Sequence, residues 1–221
     1  MGSAVVQLLV LAGIAIFLIL KLKDVLGTRD GFEKPPLDPS ERAAPRRRAR
    51  DFEVIEGGAD RDITDHVPEN SNAAKALTQM KKIESDFNVG EFLQGARGAY
   101  EMILMAFENG DLEEIEDFLG DEVRSTFIEV IAMREDQGLK VEAEFVGLRE
   151  ISLTNATFDE STKEAEVSVR FIGELTSVVR NDEGEIVEGN PNEIKRQRDV
   201  WTFARVMGSD DPNWRLVATA E

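Results

Sequence analysis

The first 27 residues contain the longest apolar stretch of the chain. Apolar residues run from Ala4 to Leu20, and Gln7 is the only strongly polar interruption. A helix of these 17 residues is about 26 Å long, which approaches the thickness of the hydrocarbon core of a bilayer. The pattern therefore predicts a transmembrane helix, with residues 1–27 as a membrane anchor.

The charges around this stretch favour a retained anchor over a cleaved signal peptide or a buried core helix. No charged side chain precedes the stretch, whereas Lys21 and Lys23 follow it, and Val25-Leu26-Gly27 is a poor cleavage site. All nine Lys and Arg residues of the first 50 positions lie after Leu20. The positive-inside bias then predicts an N-terminus outside a bacterial inner membrane and a cytoplasmic C-terminal domain. The absence of Cys agrees with a reducing compartment.

Residues 28–72 have the composition of a disordered, charged and Pro-rich linker. They hold most of the prolines and few apolar residues, so they bury too little surface to fold by themselves. The linker also carries four arginines, which are Arg46, Arg47, Arg48 and Arg50. These arginines are candidates for contact with anionic lipid, although a charge run that only sets topology is an equally good interpretation.

The net charge of the chain is unevenly distributed. The whole chain carries −18, but nine basic and five acidic residues give the first 50 positions a charge of +4, which leaves −22 for residues 51–221. Nucleic-acid binding depends on clustered Lys and Arg. The acidic body therefore argues against a nucleic-acid partner.

From Ala73 onward the apolar residues recur with a period of 3.6, which predicts helices. The widest apolar stripe predicts the central core helix, and its residues are Phe92, Ala96, Ala99, Tyr100, Ile103 and Phe107. Gly110 is the expected C-cap of this helix. Gly95 and Gly98 lower its intrinsic stability, so we expect another element to pack closely against them.

After Gly138 the period changes to two, which predicts strands. The clearest alternating runs are VEAEF, EAEVSVRF, DVWTFARV and NWRLVATA. Gly147 and Gly173 interrupt strand patterns and indicate bulges or sharp bends. Helices followed by an antiparallel meander of about four long strands predict an α+β domain over residues 73–221, with the helices on one concave face of the sheet.

Two segments of this domain resemble the C-terminal domain of the mitochondrial inner-membrane translocase subunit 44 family. They are FLQGARGAYEMILMAFENGDLEEIEDFL and DVWTFARVMGSDDPNWRLVATAE, whose most specific parts are W-x-F-x-R and P-N-W-x-L-V-A-T. The anchor and its exit, LKLKDVLGTRDGFEKPP, are similar to the alphaproteobacterial branch of this family, which consists of membrane-anchored adaptor proteins. The resemblance implies a cone-shaped domain of the nuclear transport factor two (cystatin-like) type, in which helices and a curved antiparallel sheet enclose an apolar pocket.

The resemblance also implies partners. Mitochondrial members of the family tether a DnaK-class chaperone to the protein-import channel and contact cardiolipin. They use a long helical N-terminal region for this, whereas the present chain has the predicted anchor and linker there. The implied partners are therefore membrane lipids, including anionic cardiolipin, and a protein that belongs to the translocation machinery or is a chaperone.

No catalytic group is recognisable in the sequence. It has no Cys, no nucleophile elbow and no phosphate-binding glycine loop. Its single His, His66, lies in the linker without the further donors that a metal site needs. Tyr100 with an inward carboxylate, Glu101 or Glu108, is the best acid–base pair available, but a core tyrosine is the favoured interpretation. We therefore expect no enzyme activity, no cofactor and no metal.

Two groups of residues are candidates for binding. The large apolar residues of the domain could line a pocket for an acyl chain or an apolar partner segment, and they are Phe92, Tyr100, Ile103, Phe107, Phe127, Trp201, Phe203 and Trp214. A filled core is the more common arrangement of such residues. The basic group of Lys195, Arg196 and Arg198 could contact lipid headgroups or an acidic partner, with protection of a strand edge as the alternative.

Three functions fit these features. The first is a membrane-anchored, non-enzymatic adaptor or scaffold in protein translocation, insertion or complex assembly at the inner membrane. The second is a periplasmic scaffold of a type IV secretion-like assembly, which requires the opposite topology. The third is a protein or enzyme that uses the apolar pocket for a lipid or a small molecule. The charges after Leu20 favour the first.

Overall fold

A computed structural model describes residues 60–220 of the chain. The predicted anchor and the linker arginines Arg46, Arg47, Arg48 and Arg50 lie outside these residues. The helices are α1 (Arg61–Thr64), α2 (Asn72–Ile83), α3 (Val89–Asn109) and α4 (Asp121–Asp136), and a 3₁₀ helix spans Glu113–Phe118. The strands are β1 (Lys140–Phe158), β2 (Glu164–Arg180), β3 (Ile186–Gly189), β4 (Lys195–Val206) and β5 (Arg215–Ala220).

The strands form one antiparallel sheet in the order β1-β2-β4-β5, and β3 pairs with the end of β2. The predicted α+β class and the antiparallel sheet are confirmed. The sheet has five strands rather than about four, because the turn after β2 is followed by the short strand β3. The alternating pattern did not show β3, since all four of its residues are exposed.

Helix α3 packs against the inner face of the sheet, where Val167, Val169 and Phe171 of β2 are fully buried. The predicted C-cap is confirmed, because Gly110 has φ +74° and its N–H bonds to Phe107 O at 3.2 Å. The expectation for Gly95 and Gly98 is wrong, since a Cβ at either position would meet no atom within 4 Å. Both glycines therefore lie on open surface of the helix.

Glycines in the strands have two different roles. Gly147 lies at a register shift between β1 and β2, as its sequence position predicted. Gly173 pairs with Leu148 beside a second register shift between β1 and β2, whereas β2 pairs with β4 there without any shift. A Cβ at Gly173 would come within 2.7 Å of the Tyr100 hydroxyl. Gly173 therefore lies at the predicted irregularity of the sheet and also permits the close approach of the Tyr100 side chain.

Residues 60–72, which the sequence assigned to the linker, pack on the domain. Ile63 and Val67 are buried in the core. The Asp62 carboxylate accepts hydrogen bonds from the backbone N–H groups of Val89 at 2.8 Å and Gly90 at 3.1 Å. It thus satisfies two of the free donors at the start of α3. Two apolar residues in a charged segment gave too weak a signal to reveal this contact.

Candidate functional site

A buried polar group lies at the centre of the candidate pocket. The Tyr100 hydroxyl on α3 donates a 2.5 Å hydrogen bond to Oδ2 of Asp199 on β4. The other carboxylate oxygen, Oδ1, accepts a 3.0 Å hydrogen bond from Nε2 of Gln197. Asp199 is the only buried charged residue within residues 60–220, and its exposed fraction is 6%. Both carboxylate oxygens are thus paired with neutral donors.

Aromatic rings surround the Tyr100 ring on several sides. Phe171 is stacked on it with 4.4 Å between ring centroids and 12° between planes, and Trp201 lies at 4.7 Å. Burial, followed by the hydrogen bond to Asp199, raises the pKa of Tyr100 well above its usual value. The hydroxyl is therefore held protonated as a donor, and because Tyr100 is fully buried, no solvent or substrate reaches it in this conformation.

The sequence did not identify the partner of Tyr100. Glu101 is exposed, and Glu108 faces Arg134 of α4, with 3.6 Å between Oε2 and Nη1. The signal for Asp199 was its position in the alternating β4 pattern. Because Trp201 and Phe203 point into the core, the residue two positions before Trp201 does so too.

The eight apolar candidates pack in three neighbouring groups. Tyr100, Ile103, Trp201 and Phe203 occupy the centre of the core and are at most 4% exposed. At one end of α3 the Phe92 ring contacts Trp214 at 4.8 Å, and at the other end Phe107 contacts Phe127 at 4.4 Å. These ring contacts describe a filled core, with Phe107 and Trp214 half-buried at its two ends.

The end of α3 near Phe107 carries a charged contact. The Arg134 guanidinium lies 4.6 Å from the centre of the Phe107 ring and donates to Phe107 O at 3.3 Å. Burial raises the pKa of Glu108, and the positive charges of Arg134 and Lys195 oppose this effect. Arg134 thus joins α4 to the last turn of α3.

The opposite end contains a cleft of about 190 Å³ between the α2–α3 connection and β4. The two motifs of the sequence meet here, because the Arg205 guanidinium of W-x-F-x-R lies 5.3 Å from the ring centre of Trp214 of P-N-W. Arg205 is also paired with Glu84, and Glu84 Oε1 accepts from Gly208 N at 2.6 Å. Arg205 therefore links the end of α2 to the β4–β5 turn.

The basic candidates Lys195, Arg196 and Arg198 do not form one patch. Successive side chains of a strand point to opposite faces of the sheet, so Lys195 shares the inner face with Gln197 and Asp199. Arg196 and Arg198 point to the outer face, where Arg196 Nη2 lies 3.4 Å from Glu174 Oε1. The run of adjacent charges in the sequence is thus divided between two surfaces.

Several absences apply to the described part of the chain. No group of three or more His, Cys, Asp or Glu side chains is placed to hold a metal ion among residues 60–220. His66 is exposed, and its neighbours supply no such group. None of the helices in the same range is long and apolar enough to cross a bilayer.

Comparison with known proteins gives a family match over the domain. The family model of the Tim44-like domain matches residues 73–221. The mitochondrial import inner membrane translocase subunit TIM44 of Homo sapiens is 25% identical over 169 residues, which cover 72% of this chain and 37% of that protein. The proteins of the same name from Mus musculus and Rattus norvegicus are 22% and 23% identical over the same length. The chain thus spans little more than a third of the length of these relatives.

Among solved structures, the intermembrane space region of the chloroplast protein ARC6 aligns with a TM-score of 0.35 and 14% identity. The alignment covers 66% of this chain and 94% of that structure. A TM-score of this size does not establish a shared fold. The architecture described above therefore rests on the strands and helices of the chain itself.

Proposed function

The chain belongs to the Tim44-like domain family, and on this premise we propose that it is a non-enzymatic adaptor in protein translocation, insertion or complex assembly at an inner membrane. The observation that carries this proposal is the family match over residues 73–221. The relatives are named as subunits of an inner-membrane import translocase. Of the roles that a translocase subunit can have, the adaptor role is one that a single non-catalytic domain can perform.

The membrane part of the proposal rests on the sequence. The apolar run from Ala4 to Leu20 serves as a single-pass anchor with its N-terminus outside, and the basic residues after it keep the domain in the cytoplasm. Arg46, Arg47, Arg48 and Arg50 contact anionic lipid, including cardiolipin, close to the bilayer. The protein partner belongs to the translocation machinery or is a chaperone.

We further infer that the domain has the cone shape of the nuclear transport factor two type. Support comes from the packing of α3 across one face of an antiparallel sheet, with the aromatic candidates between them. The adaptor role does not require an open pocket. The partner then binds at the half-buried ends of the aromatic core, near Phe107 or Trp214, or on the outer face near Arg196 and Arg198.

We propose that the protein is not an enzyme, and the burial of its best candidate acid–base pair, Tyr100 and Asp199, supports this. Tyr100 is fully buried, and Asp199 is 6% exposed. A general base must come within hydrogen-bond distance of a proton on the substrate. A substrate cannot come this close to Tyr100 in the packed core, because Phe171 and Trp201 occupy the space around its ring.

A topology assay tests whether the domain lies on the cytoplasmic side of the membrane. A reporter that is active only in the periplasm is fused after Glu221, and a cytoplasmic reporter is fused at the same position as its matched control. We expect the periplasmic reporter to be silent and the cytoplasmic one to be active. The reverse result would replace the proposal with a periplasmic scaffold of the type IV secretion kind.

Crosslinking in living cells tests the adaptor role itself. A photoreactive residue is placed at exposed positions, Met133 on α4 and Arg196 on β4, and at the exposed position Ser161 in the β1–β2 turn as the control. The expected product is a crosslink from the exposed positions to a component of a translocation or insertion complex or to a chaperone. Capture of lipid alone would instead favour a lipid-binding role.

A further inference from the structure

The sheet has an edge that no strand covers within residues 60–220. Strand β2 pairs with β1 along one side, and β3 and β4 follow one another along its other side. Strand β5 pairs with residues 200–204 of β4, so residues 195–199 have no neighbouring strand on that side. A turn separates them from β3, and a 3.1 Å hydrogen bond from Glu193 N to Asn190 O closes it. We call β3 and residues 195–199 the open edge.

The charge along the open edge changes sign at this turn. Residues 182–193 carry five acidic side chains and no basic one, whereas residues 195–198 carry three basic side chains and no acidic one. Of these three, Arg196 is already paired with Glu174. Opposite charges that face each other stabilise strand pairing, and like charges destabilise it. Because its two halves have opposite signs, the open edge is complementary to a copy of itself that runs in the opposite direction.

The spacing of four exposed side chains fits one register of such a pair. Glu188 and Lys195 are equally far from the centre of the turn, and so are Glu185 and Arg198. When two copies pair antiparallel about a two-fold axis, residues equally far from the axis lie opposite each other. An axis at the turn therefore places both glutamates of one copy opposite the two basic residues of the other. None of the four forms an ion pair within residues 60–220.

The open edge also carries apolar side chains that the domain leaves exposed. Ile186 and Val187 of β3 are 43% and 46% exposed, and Ile194 beside the turn is 56% exposed. These are three of the nine large hydrophobic residues that are exposed in the described part of the chain. A strand that pairs with the edge would cover part of this apolar surface, which favours association.

We propose that two copies of this chain pair through the open edge, with a two-fold axis at the turn. Strand β3 of each copy then runs antiparallel to residues 195–199 of the other, and every contact occurs twice. Main-chain hydrogen bonds join the two sheets, and the charge pairs set the register. The occupant is a second copy because the edge matches itself in both sign and spacing of charge. The pairing goes beyond the adaptor role and does not depend on it.

Energy transfer between copies of the full chain tests this arrangement, because the lack of Cys permits single labels. One label is placed through Glu144→Cys on β1, where Glu144 is exposed and pairs with Thr176 near the level of the turn. Five strand spacings, about 24 Å in total, separate the two labels of the dimer. Ser161→Cys places the label in the β1–β2 turn, where the antiparallel arrangement puts the two labels about 100 Å apart. Donor and acceptor pools are mixed in detergent with micelles in excess, and we expect transfer from position 144 only.

Exchange of charge tests the pairing itself. Glu185→Lys with Glu188→Lys and, in a second chain, Lys195→Glu with Arg198→Glu should each abolish the transfer, because like charges then face each other. An equimolar mixture of these two double variants should regain it, because each edge again meets opposite charges. The matched control, Glu113→Lys with Glu129→Lys, makes the same charge change at exposed positions away from the edge and should leave the transfer unchanged.

Several results would overturn the proposal. They are no transfer from position 144 with the charges unaltered, equal transfer from positions 144 and 161, and a mixture of the double variants that does not regain transfer. Transfer that persists in each double variant would show that the chains associate elsewhere, for example through the predicted anchor, and would also overturn the proposal. None of these results decides the adaptor role, which the topology and crosslinking experiments test separately.

Discussion

The hydroxyl of Tyr100 and the carboxylate of Asp199 are 99 positions apart in the chain and share a 2.5 Å hydrogen bond in the core. This contact joins the central helix α3 to the central part of β4. It also provides a donor for a carboxylate that forms no ion pair with the Lys, Arg or His side chains of residues 60–220. Tyr100 is therefore a core tyrosine with a polar partner, which is the interpretation that the sequence favoured.

Tyr100→Phe is expected to destabilise the domain. The variant keeps the ring contacts but leaves one oxygen of a buried carboxylate without a donor, which costs about 1–3 kcal/mol in the free energy of unfolding. Urea denaturation followed by the fluorescence of Trp201, whose ring lies 4.7 Å from Tyr100, measures the loss. Asp199→Asn in the Tyr100→Phe background is the control, and the losses should not be additive, because the two residues share one contact.

Gly173→Ala is expected to destabilise the domain through steric overlap with Tyr100. The added Cβ would come 2.7 Å from the hydroxyl oxygen, and forced movement in a packed core costs about 1–3 kcal/mol. The same substitution in a Tyr100→Phe background should cost less, since the nearest atom is gone. Gly95→Ala is the matched control and should be neutral or stabilising, because its Cβ would meet no atom within 4 Å. Equal losses at the two glycines would contradict the steric explanation.

Removal of residues 1–72 is expected to destabilise the domain even though the family match begins at residue 73. The truncation exposes the surface that Ile63 and Val67 cover, and each buried side chain of this size contributes about 1.5–3 kcal/mol. A chain that begins at Gly57 is the control, because it retains both residues. Equal denaturation midpoints for the two chains would show that the segment before residue 73 makes no stabilising contact.

The contribution of Asp62 should depend on pH in the acid range. Burial by itself would raise the pKa of Asp62, but hydrogen bonds from Lys81 and from the N–H groups of Val89 and Gly90 hold this pKa below its usual value. The unfolded state therefore binds a proton at a higher pH than the folded state. The stabilisation by Asp62 is present above the usual carboxyl pKa of about 3.9 and is lost as the pH falls through the folded value.

Comparison of the chain with an Asp62→Asn variant isolates this effect. The difference in unfolding free energy should be about 1–3 kcal/mol at neutral pH and should shrink below pH of about 4. Asp65→Asn is the matched control, since Asp65 is exposed and should give no such difference. A difference that is the same at neutral and acid pH would contradict the role of the charged carboxylate.

The periodic patterns of the sequence were sufficient to predict which segments form helices and which form the long strands. A period of 3.6 in α3 and of two in β2 and β4 reports which side chains turn toward the core, because backbone geometry alone sets these periods. The C-cap at Gly110 followed for the same local reason, since glycine adopts φ +74° without strain. The short exposed strand β3 was missed because it has no buried face to leave a pattern.

What the sequence by itself determined about this protein is its family, the α+β class of its domain and the apolar character of its first 27 residues. Only the tertiary structure decided that Asp199 and not Glu108 meets Tyr100, that Ile63 joins the core, and that Arg196 of β4 pairs with Glu174 of β2. Local patterns record the environment of a residue along its own element. The choice of a partner depends on which distant elements the strand register and the packing of helices bring within a few ångströms.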